Sequence, residues 1–550
     1  MQKSAIFKSA FLLLFSISWS AASAKPINEF IRCVVLNSGN PTAASQVIFA
    51  PNNASYLPIL NSKIQNFQYA RPNTPKPLVI ITPNHESQIQ AAIHCSKKFD
   101  LQIRIRSGGH DFSGASYVSL QSPFFMLDMS NFRSISIDVK SRTAWLGVAA
   151  RLGEVYYSIY QANSSLYFPG GSCTTVEIGG LVSGGGYGPF VRKYGLAADT
   201  VIDARVVDAN GRILDRKSMG EDFFWAIRGG NGASFGVIIS YKVKLVETRQ
   251  NFTAFNISRT LEQNAIQLLY KWQYVAPKVP RDLSITAIFF PGSAAFLAFF
   301  QGDVDTLLSL MKEYFPELGV TKEDCEEIRW IDNYAYQYGL PIQSTNEILL
   351  SGINLNLSPN PYFKGKSDFV QKPIPEIGIR KIWNLFLQRN VQDASMEFTP
   401  FGGIMNEIPV SKIPFPHRAG TLYLVVNVAS WNSTNTTSAK KGINWSRKLY
   451  RIMGKYIPNT PNNPRGAYVN YRDFDLGTNN PHGYTSVEQA RIWGAHYFKS
   501  NFDRLVKVKT IVDPKNFFNF EQSIPPNQPW SKQGILIHKK GFETLAYIDN

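Results

Sequence analysis

Residues 74–248 change repeatedly from the apolar spacing of a strand to that of a helix. Residues 78–82 form a short β-branched run, residues 85–99 place apolar side chains at helical spacing, and residues 102–106 alternate between apolar and polar side chains. A strand, a helix and a strand within about 30 residues are typical of a βαβ unit. The region is therefore predicted to begin with such a unit.

More strands and one further helix follow in the same region. The helix is predicted at residues 153–160. The predicted strands are residues 124–128, 134–138, 143–148, 201–208 and 237–243. Together these elements predict an α+β domain at residues 74–248.

Longer apolar strands, separated by helices, occupy residues 249–466. Strands are predicted at 285–290, 295–302 and 421–430, and a helix at 304–317. This pattern is typical of an antiparallel sheet backed by helices, which can form the wall of a substrate cavity. The predicted fold class is therefore α+β, with a sheet-and-helix substrate domain after the first domain.

Outside these two regions the chain divides into three pieces. Residues 25–73 form an N-terminal segment that ends in a Pro-rich linker. Residues 467–526 form a C-terminal segment with a predicted helix at 487–506. Residues 527–550 are a tail to which the sequence assigns no role.

The first residues have the pattern of a secretory signal peptide. Lys3 and Lys8 precede the apolar run 10–19, and residues 22–24 are the small residues of a cleavage site. The apolar run is too short to span a bilayer as a helix. Residues 1–24 are therefore predicted to be a signal peptide.

A surplus of glycosylation sequons supports passage through the secretory pathway. Single Asn-x-Ser/Thr sequences arise by chance, so their number carries the argument. We expect an extracellular, apoplastic or vacuolar protein. The sequons begin at Asn53, Asn163, Asn251, Asn256, Asn356, Asn432, Asn435 and Asn444.

Charge and hydropathy exclude two classes of partner. The net charge is +17, from 57 basic and 40 acidic residues, but the basic residues are spread along the chain. Nucleic-acid binding needs clustered basic residues on a suitable fold, so we expect no nucleic-acid partner. After the signal peptide no stretch reaches the roughly 20 apolar residues of a membrane helix. We expect a monomer that acts on a small molecule.

The four cysteines are too far apart for a zinc ribbon or a Cys-x-x-Cys redox motif, and we expect no metal site. In an oxidising compartment Cys33 and Cys95 are candidates for a disulfide between the N-terminal helix and the next domain. Cys325 is predicted to be a free or buried thiol. Cys173, in a Gly-rich loop, has no structural partner that the sequence suggests.

Three Gly-rich turns follow predicted strands, at residues 107–109, 179–188 and 228–232. Glycine turns of this kind let backbone N–H groups approach a pyrophosphate. None fits the Gly-x-Gly-x-x-Gly sequence of a Rossmann dinucleotide site, and no phosphate-binding P-loop sequence is present.

The complete set of motifs resembles the plant berberine bridge enzyme-like flavoproteins, which have the vanillyl-alcohol-oxidase (PCMH) type of FAD-binding fold. Among them the chain is most similar to the cannabinoid acid synthases. The matching motifs occur in the family's order, and they are residues 106–111, 168–173, 183–188, 192–199, 222–230, 414–418 and 470–475.

The resemblance implies a flavin bound through two covalent bonds. The family's histidine bonded to the flavin 8α-methyl group matches His110, and its cysteine bonded to flavin C6 matches Cys173. A neutral imidazole and a thiolate are suitable nucleophiles for an electron-poor ring. Taken alone, His110 would more often cap a turn and Cys173 pack as a buried thiol.

The resemblance also implies the residues around the cofactor and the reacting bond. Tyr471 matches the tyrosine that acts as base in the cannabinoid acid synthases, although a core tyrosine is the simpler interpretation of one residue. Tyr194 is a second catalytic candidate. The predicted cofactor-binding residues are Arg106, Ser107, Gly108, Gly109, His110, Asp111, Cys173, Gly179, Gly180, Ser183, Gly184, Gly185, Val237 and Asn470.

The chain departs from the family pattern in two places. Thr174, Glu177 and Leu181 replace a proline, a glycine and a histidine in the loop that carries Cys173. The run 423–428 is apolar where many members carry Lys, Glu or Gln in the active site. An oxidase needs a group to accept the substrate proton, and this strand offers no obvious one.

Two functions are therefore kept open. The first is an FAD-dependent oxidation of a plant secondary metabolite, phenolic, terpenoid or alkaloid, with O₂ reduced to H₂O₂ and with ring closure as a further step. The second, suggested by the resemblance to mulberry flavoproteins, is a non-redox Diels–Alder cycloaddition of plant phenolics. Leu181, Leu424 and Val426 motivate the second, because a pericyclic reaction needs orientation but transfers no proton.

Overall fold

The computed structural model describes residues 26–527, apart from residues 121–122, 354–360, 389–392, 462 and 482. The predicted signal peptide, the tail from residue 528 and the sequon at Asn356 lie outside the described residues. The helices are α1 (26–37), α2 (Pro41–Ser45), α3 (Tyr56–Asn61), α4 (Glu86–Lys98), α5 (Leu152–Ala162), α6 (Ile178–Ser183), α7 (Val191–Tyr194), α8 (Arg216–Ala226), α9 (Ala265–Val275), α10 (Val304–Tyr314), α11 (Asn333–Tyr336), α12 (Thr345–Ser351), α13 (Glu376–Leu387), α14 (Thr436–Met453), α15 (Val487–Phe498) and α16 (Asn501–Val512).

The strands form four sheets. They are β1 (Ile48–Phe49), β2 (Ile80–Ile81), β3 (Gln102–Arg106), β4 (Phe124–Asp128), β5 (Ile135–Asp138), β6 (Thr143–Gly147), β7 (Leu166–Tyr167), β8 (Val201–Val207), β9 (Ile213–Leu214), β10 (Val237–Lys244), β11 (Val246–Glu247), β12 (Asn251–Thr260), β13 (Leu283–Phe290), β14 (Ser293–Phe300), β15 (Cys325–Arg329), β16 (Tyr362–Val370), β17 (Asp393–Pro400) and β18 (Tyr423–Trp431).

The first sheet contains the predicted βαβ unit. Its strand order is β1-β2-β4-β3, and β4 pairs in parallel with both β2 and β3. Helix α4 connects β2 to β3, and it begins at a capping box in which His85 and Gln88 satisfy backbone N–H groups. The second sheet, in the order β5-β6-β10-β8-β9, is antiparallel, and β7 and β11 form a separate pair.

A disulfide between Cys33 and Cys95 joins α1 to α4, as predicted. Loss of this bond is expected to lower the free energy of unfolding by about 4 kcal/mol, the loop-entropy value for a closed loop of this length, because the two cysteines are 62 residues apart. Chemical denaturation of Cys33→Ser/Cys95→Ser measures the loss, and Cys325→Ser, which removes a half-buried thiol outside the disulfide, is the control. Equal stability of all three proteins would contradict the expectation.

The seven-stranded sheet has the order β15-β12-β14-β13-β17-β18-β16 and is antiparallel throughout. Side chains on one of its faces pack against α9, α10, α13 and α14 in a continuous apolar core. Apolar side chains alternate along these strands, so the opposite face is free to line a cavity. The predicted antiparallel sheet-and-helix architecture and the α+β class are confirmed.

One predicted helix is two helices. Residues 487–506 were expected to be continuous, but α15 ends at Phe498 and α16 begins at Asn501. Lys499 between them has φ +46°, which a right-handed helix cannot contain. The polar pair Ser500 and Asn501 follows the break, and the Asn501 amide donates to the carbonyls of Val410 and Pro414. Apolar periodicity does not reveal the break at Lys499, because hydrogen bonds to residues far away in the sequence hold this turn.

Candidate active site

A cavity of about 670 Å³ lies between the loops of the first two sheets and the seven-stranded sheet. Its wall includes the loop after β3, the Gly-rich loop around α6 and residues 468–472 of the C-terminal segment. The opposite wall consists of side chains from β13, β14, β17 and β18. This volume is in the range of cofactor and substrate sites.

The end of strand β3 fixes the position of His110. The guanidinium of Arg106 is fully buried and donates to Asp128 and to the carbonyls of Ile59 and Leu60. The chain then turns at Gly109, where φ is +68° and a Cβ would overlap the Lys63 carbonyl, so only glycine fits. Burial lowers the pKa of His110 to about 4, so its imidazole is neutral near pH 7.

The loop that carries Cys173 faces His110. The hydroxyl of Thr175 lies 3.4 Å from Cys173 Sγ and 3.2 Å from His110 Nε2. The two residues with the predicted flavin bonds are therefore within reach of one hydroxyl, although 63 positions separate them in the sequence. A contact at Nε2 leaves His110 Nδ1 as the ring nitrogen available for a covalent bond.

The Gly-rich loop around α6 brings backbone to the cavity wall. A Cβ at Gly180 would meet no atom within 4 Å, so the backbone at this position borders open space in the cavity wall. A Cβ at Gly184 would overlap the side-chain amide of Asn470. That amide donates to the Leu181 carbonyl at 3.0 Å and ties the C-terminal segment to the loop.

Polar atoms in the cavity wall fit FAD. Arg472 donates through Nε to Asp111 Oδ2 at 2.9 Å and through Nη2 to Asn231 Oδ1 at 3.2 Å, whereas its Nη1 is buried without a partner among the described residues. The hydroxyl of Ser116, also in the wall, is likewise buried without a partner in the described chain. Buried donors of this kind need acceptors, which the phosphate and carbonyl oxygens of FAD provide.

Most predicted cofactor-binding residues lie in the cavity wall. Arg106 and Val237 do not; Arg106 is held by Asp128, and Val237 lies in the core of the second sheet. Gly184 and Gly185 also lie behind the wall, where they allow close packing against Asn470 and Phe415. The residues in the wall are Ser107, Gly108, Gly109, His110, Asp111, Cys173, Gly179, Gly180, Ser183 and Asn470.

The substrate-facing side of the sheet is largely apolar. On β13 and β14 the cavity-facing residues include Ile288, Phe290, Leu297 and Phe299. The alternate residues of these two strands point to the opposite face of the sheet, where they pack against the helices. This follows from the two-residue period of a strand. An apolar ligand, or the apolar part of a larger one, fits this wall.

Strand β18 has no ionisable side chain in the wall. Val426, Val428 and Ser430 line the cavity, whereas Leu424 is buried in the core. Leu181, the other apolar replacement, does line the cavity beside Gly171. Within residues 423–428, strand β18 therefore presents no proton acceptor to the cavity.

Glu397 on the neighbouring strand β17 supplies the missing carboxyl group. It pairs with Val426 in the β17–β18 ladder and lies in the cavity wall. Its carboxylate accepts a hydrogen bond from the Thr399 hydroxyl at 3.0 Å, and no Lys, Arg or His among the described residues forms an ion pair with it. Burial raises its pKa above the usual value.

Two tyrosines form a hydrogen-bonded pair in the same cavity. The hydroxyls of Tyr187 and Tyr471 are 2.5 Å apart, and the ring of Tyr471 stacks on Phe112 at 4.8 Å. Burial, and then the negative charge of Glu397, raise the pKa of Tyr471 far above its usual range. Tyr471 therefore keeps its proton near neutral pH and suits a hydrogen-bond donor better than an ionised base.

Tyr194 is outside the cavity wall. Its hydroxyl lies 2.9 Å from Gln301 Oε1 and 3.0 Å from the Glu247 carbonyl, which satisfy it. Lys193 next to it pairs with Asp282. A catalytic role for Tyr194 stays a prediction that its position does not support.

Sequence reasoning missed three residues of this site. Thr175 and Glu397 were not singled out, and Arg472 was included only as part of the motif 470–475. Alternation along 393–400 could have shown that Glu397 shares a face with Ser395 and Thr399. No local signal indicates that this face borders the flavin loops.

Other predictions concern features away from the cavity. In the described part of the chain, no helix is long and apolar enough to cross a bilayer, and no group of His, Cys, Asp and Glu side chains could hold a metal ion. Asn163 is half-buried. The exposed sequon asparagines are Asn53, Asn251, Asn256, Asn432, Asn435 and Asn444.

Comparison with known proteins identifies relatives of the whole chain. A family model described as "FAD binding domain" matches residues 77–216, and one described as "Berberine and berberine like" matches residues 467–525. Berberine bridge enzyme-like 24 of Arabidopsis thaliana is 44% identical over 524 residues, which are 93% of this chain and 95% of that protein. Tetrahydroberberine oxidase of Argemone mexicana is 43% identical over 547 residues, 96% of this chain and 97% of that protein.

A solved structure agrees with these relatives. BBE-like #28 from Arabidopsis thaliana is 44% identical and superposes with a TM-score of 0.85, covering 91% of this chain and 100% of that one. Since sequence and structure agree over nearly the full length, the chain belongs to the berberine bridge enzyme-like family of FAD-dependent oxidoreductases.

Proposed function

We propose that this protein holds FAD through covalent bonds to His110 and Cys173 and oxidises a small plant metabolite in the adjoining cavity. The observation that carries the proposal is that one cavity has His110 and Cys173 in one wall and the carboxyl group of Glu397 in the other. A cofactor and a substrate bound there would be in contact. We also propose that residues 74–248 form the FAD-binding domain, that residues 467–526 complete it, and that residues 249–466 form the substrate domain.

When bound, FAD accepts a hydride from the substrate and passes the two electrons on to dioxygen, which becomes peroxide. The protein has to bind the flavin, orient the substrate and accept its proton. Ser107, Gly180, Asn470 and the free donor of Arg472 are proposed to bind polar atoms of the cofactor. His110 and Cys173 are proposed to fix its ring.

Glu397 is proposed to accept the substrate proton at a carboxylate oxygen. An ionised carboxyl group without a cation is costly in a buried site, by several kcal/mol, so a buried Glu397 in the cavity wall favours a chemical role. The Tyr471 hydroxyl, held by Tyr187, is proposed to donate a hydrogen bond to the reacting oxygen or nitrogen. This division gives Tyr471 a catalytic role that a neutral phenol can perform.

The wall of the cavity favours an apolar, aromatic substrate with one polar group to be oxidised. Phe112, Phe290, Phe299 and Phe363 lie in the wall and can stack on or enclose rings. One of the relatives, tetrahydroberberine oxidase, is named for the oxidation of an alkaloid. We propose a phenolic, terpenoid or alkaloid substrate, with ring closure as a further step for a substrate that can cyclise.

The cycloaddition stays a second candidate because Val426 and Val428 make strand β18 apolar where it faces the cavity. Such a wall can orient two apolar reactants without moving a proton. Glu397 argues for the oxidation. A secreted or vacuolar glycoprotein remains the proposed form, supported by the sequons and the disulfide, and we propose that it is a monomer.

Product mass separates the two candidates. Purified holoprotein is incubated in air with single phenolic, terpenoid and alkaloid compounds and with diene–dienophile pairs, while oxygen uptake and peroxide are measured. Oxidation predicts a product lighter than its substrate by two hydrogens, with oxygen consumed. A product whose mass is the sum of two reactants, formed without oxygen uptake, would establish the cycloaddition instead.

A further inference from the structure

Residues 63–68 of the N-terminal segment, here called the clamp segment, contact both loops with the proposed flavin bonds. Lys63 begins the clamp segment, with its side chain 20% exposed, and pairs with Glu177, which is 5% exposed. Glu177 lies four positions after Cys173 in the chain. Sequence analysis assigned no role to residues 63–68, and Glu177 was noted only as a departure from the family glycine.

The Lys63–Glu177 pair joins three pieces of chain. Lys63 Nζ lies 2.5 Å from Glu177 Oε1 and donates to the Ser107 carbonyl at 3.3 Å. The second oxygen of Glu177 lies 3.1 Å from the Ser107 hydroxyl. One ammonium group therefore contacts both the loop before His110 and the loop after Cys173.

Backbone packing beside the pair is close. A Cβ at Gly108 would lie 3.1 Å from the Glu177 nitrogen and 3.3 Å from its Cγ. At Gly109 a Cβ would overlap the Lys63 carbonyl. The two glycines before His110 therefore pack directly against the two partners of the ion pair, so the His110 loop and the Cys173 loop are in contact beside it.

The other end of the clamp segment contacts the seven-stranded sheet. The Asn66 amide donates to the carbonyls of Phe112 and Phe363, each at 3.0 Å, and Gln68 donates to the Phe363 carbonyl. Phe363 is on β16, and Phe112 follows His110 by two residues. The clamp segment thus connects the His110 loop to the sheet at one end and to the Cys173 loop at the other.

We propose that the Lys63–Glu177 pair is a positioning device that holds the Cys173 loop against the His110 loop, and that it sets the rate at which Cys173 bonds to the flavin. The inference rests on the proposed bonds of His110 and Cys173 to FAD. His110 has further support from Arg106 and the clamp segment, whereas the Cys173 loop carries Thr174 and Glu177 in place of proline and glycine. The thioether therefore depends more strongly on the pair than the histidyl bond does.

The thioether step requires close approach. The Sγ–C6 bond forms, the C6–H and S–H protons are released, and two electrons left on the ring are taken by dioxygen, which becomes peroxide. A displacement of about 1 Å between reacting atoms can cost on the order of 100-fold in rate. A loop held less firmly is expected to lose this bond first.

The test follows the covalent bonds themselves. Lys63→Met, Glu177→Gln and the double variant are prepared without flavin and mixed with FAD in air, and samples are acid-quenched over time. Peptide mass spectrometry then measures flavin on the His110 peptide and alkylation of Cys173. The double variant leaves no unpaired charge, so the test still holds if a single variant fails to fold. Lys63→Arg keeps the charge, and Glu221→Gln removes an exposed ion pair elsewhere.

We expect thioether formation to slow by about 10- to 100-fold in the Met and Gln variants, with the histidyl bond formed at the wild-type rate and Lys63→Arg and Glu221→Gln unchanged. Wild-type thioether rates in the folded double variant would overturn the proposal. Equal loss of both bonds in proportion to thermal stability would overturn it too, since that is the result of a general structural role. Wild-type protein that forms neither bond would refute the proposed tethers and the inference with them, whereas a bicovalent but inactive wild type would count against the proposed oxidation alone.

Discussion

Glu397→Gln is expected to slow substrate oxidation by about 10²- to 10⁴-fold, the usual contribution of a general base. Glutamine keeps the shape and the hydrogen bond from Thr399 but cannot accept a proton. Stopped-flow measurement of flavin bleaching under anaerobic substrate gives the rate directly. Binding of the substrate should change little, because the apolar wall is unaltered.

The same variant should change the pH dependence. Only the ionised carboxylate accepts a proton, and burial raises the pKa of Glu397. The bleaching rate should therefore fall on acidification, and at a higher pH than the usual carboxyl range, as the carboxylate becomes protonated. Glu397→Gln should lose this acid limb of the pH profile, that is, the fall of the bleaching rate on acidification.

Glu407→Gln is the matched control, because Glu407 is an exposed partner of Arg281 outside the cavity. It should keep both the rate and the pH profile. A Glu397→Gln protein within about twofold of wild type, with the acid limb intact, would show that another group takes the proton, and Tyr471 would then be the first candidate.

His110→Ala combined with Cys173→Ala is expected to abolish covalent flavin completely. Wild-type protein precipitated with acid should stay yellow, and the double variant should release all of its FAD. Each single variant should keep one bond, since the remaining nucleophile still faces the cavity. Absorbance of the washed precipitate, with peptide masses for each site, gives the result.

Cys325→Ser is the control for this experiment, because Cys325 begins β15 and lies outside the cavity wall. Its precipitate should be as yellow as wild type. Complete release of FAD from the wild type would refute both bonds. A yellow precipitate from the double variant would show that the flavin is bound at some other residue.

The sequence predicted those parts of the fold that depend on local pattern. Strands at 102–106 and 124–128 have the predicted bounds, since buried strands separated by turns leave a clear signal. The break at Lys499 was not predicted, because it depends on hydrogen bonds from Asn501 to residues nearly 90 positions away. Contacts between distant segments leave no periodicity to detect.

The residues of the candidate site also divide into those that a local motif predicts and those that depend on contacts between distant segments. His110 and Cys173 were identified because the short motifs around them match those of the family that the sequence resembles. Glu397 was missed because its place in the cavity wall depends on the pairing of β17 with β18 and on which face of that sheet borders the cavity. The apolar run 423–428 belongs to β18, whereas the carboxyl group of Glu397 lies one strand away, on β17.

Tyr471 shows how burial changes an assignment made from sequence. A tyrosine at this position was expected to act as the base. In the structure its hydroxyl is bonded to Tyr187, and burial and Glu397 raise its pKa. The proposed division of roles between a neutral phenol and a carboxylate rests on that environment and not on the motif.

The most direct test of the proposed oxidation of the substrate by FAD is an anaerobic single turnover. Holoprotein and one accepted substrate are mixed without oxygen, the visible absorbance of the oxidised flavin is recorded, and product is quantified in the quenched sample. Oxidation of the substrate by bound FAD predicts bleaching with one product molecule per flavin and no further product until oxygen is admitted. Product formed beyond one equivalent while the flavin stays oxidised would contradict it.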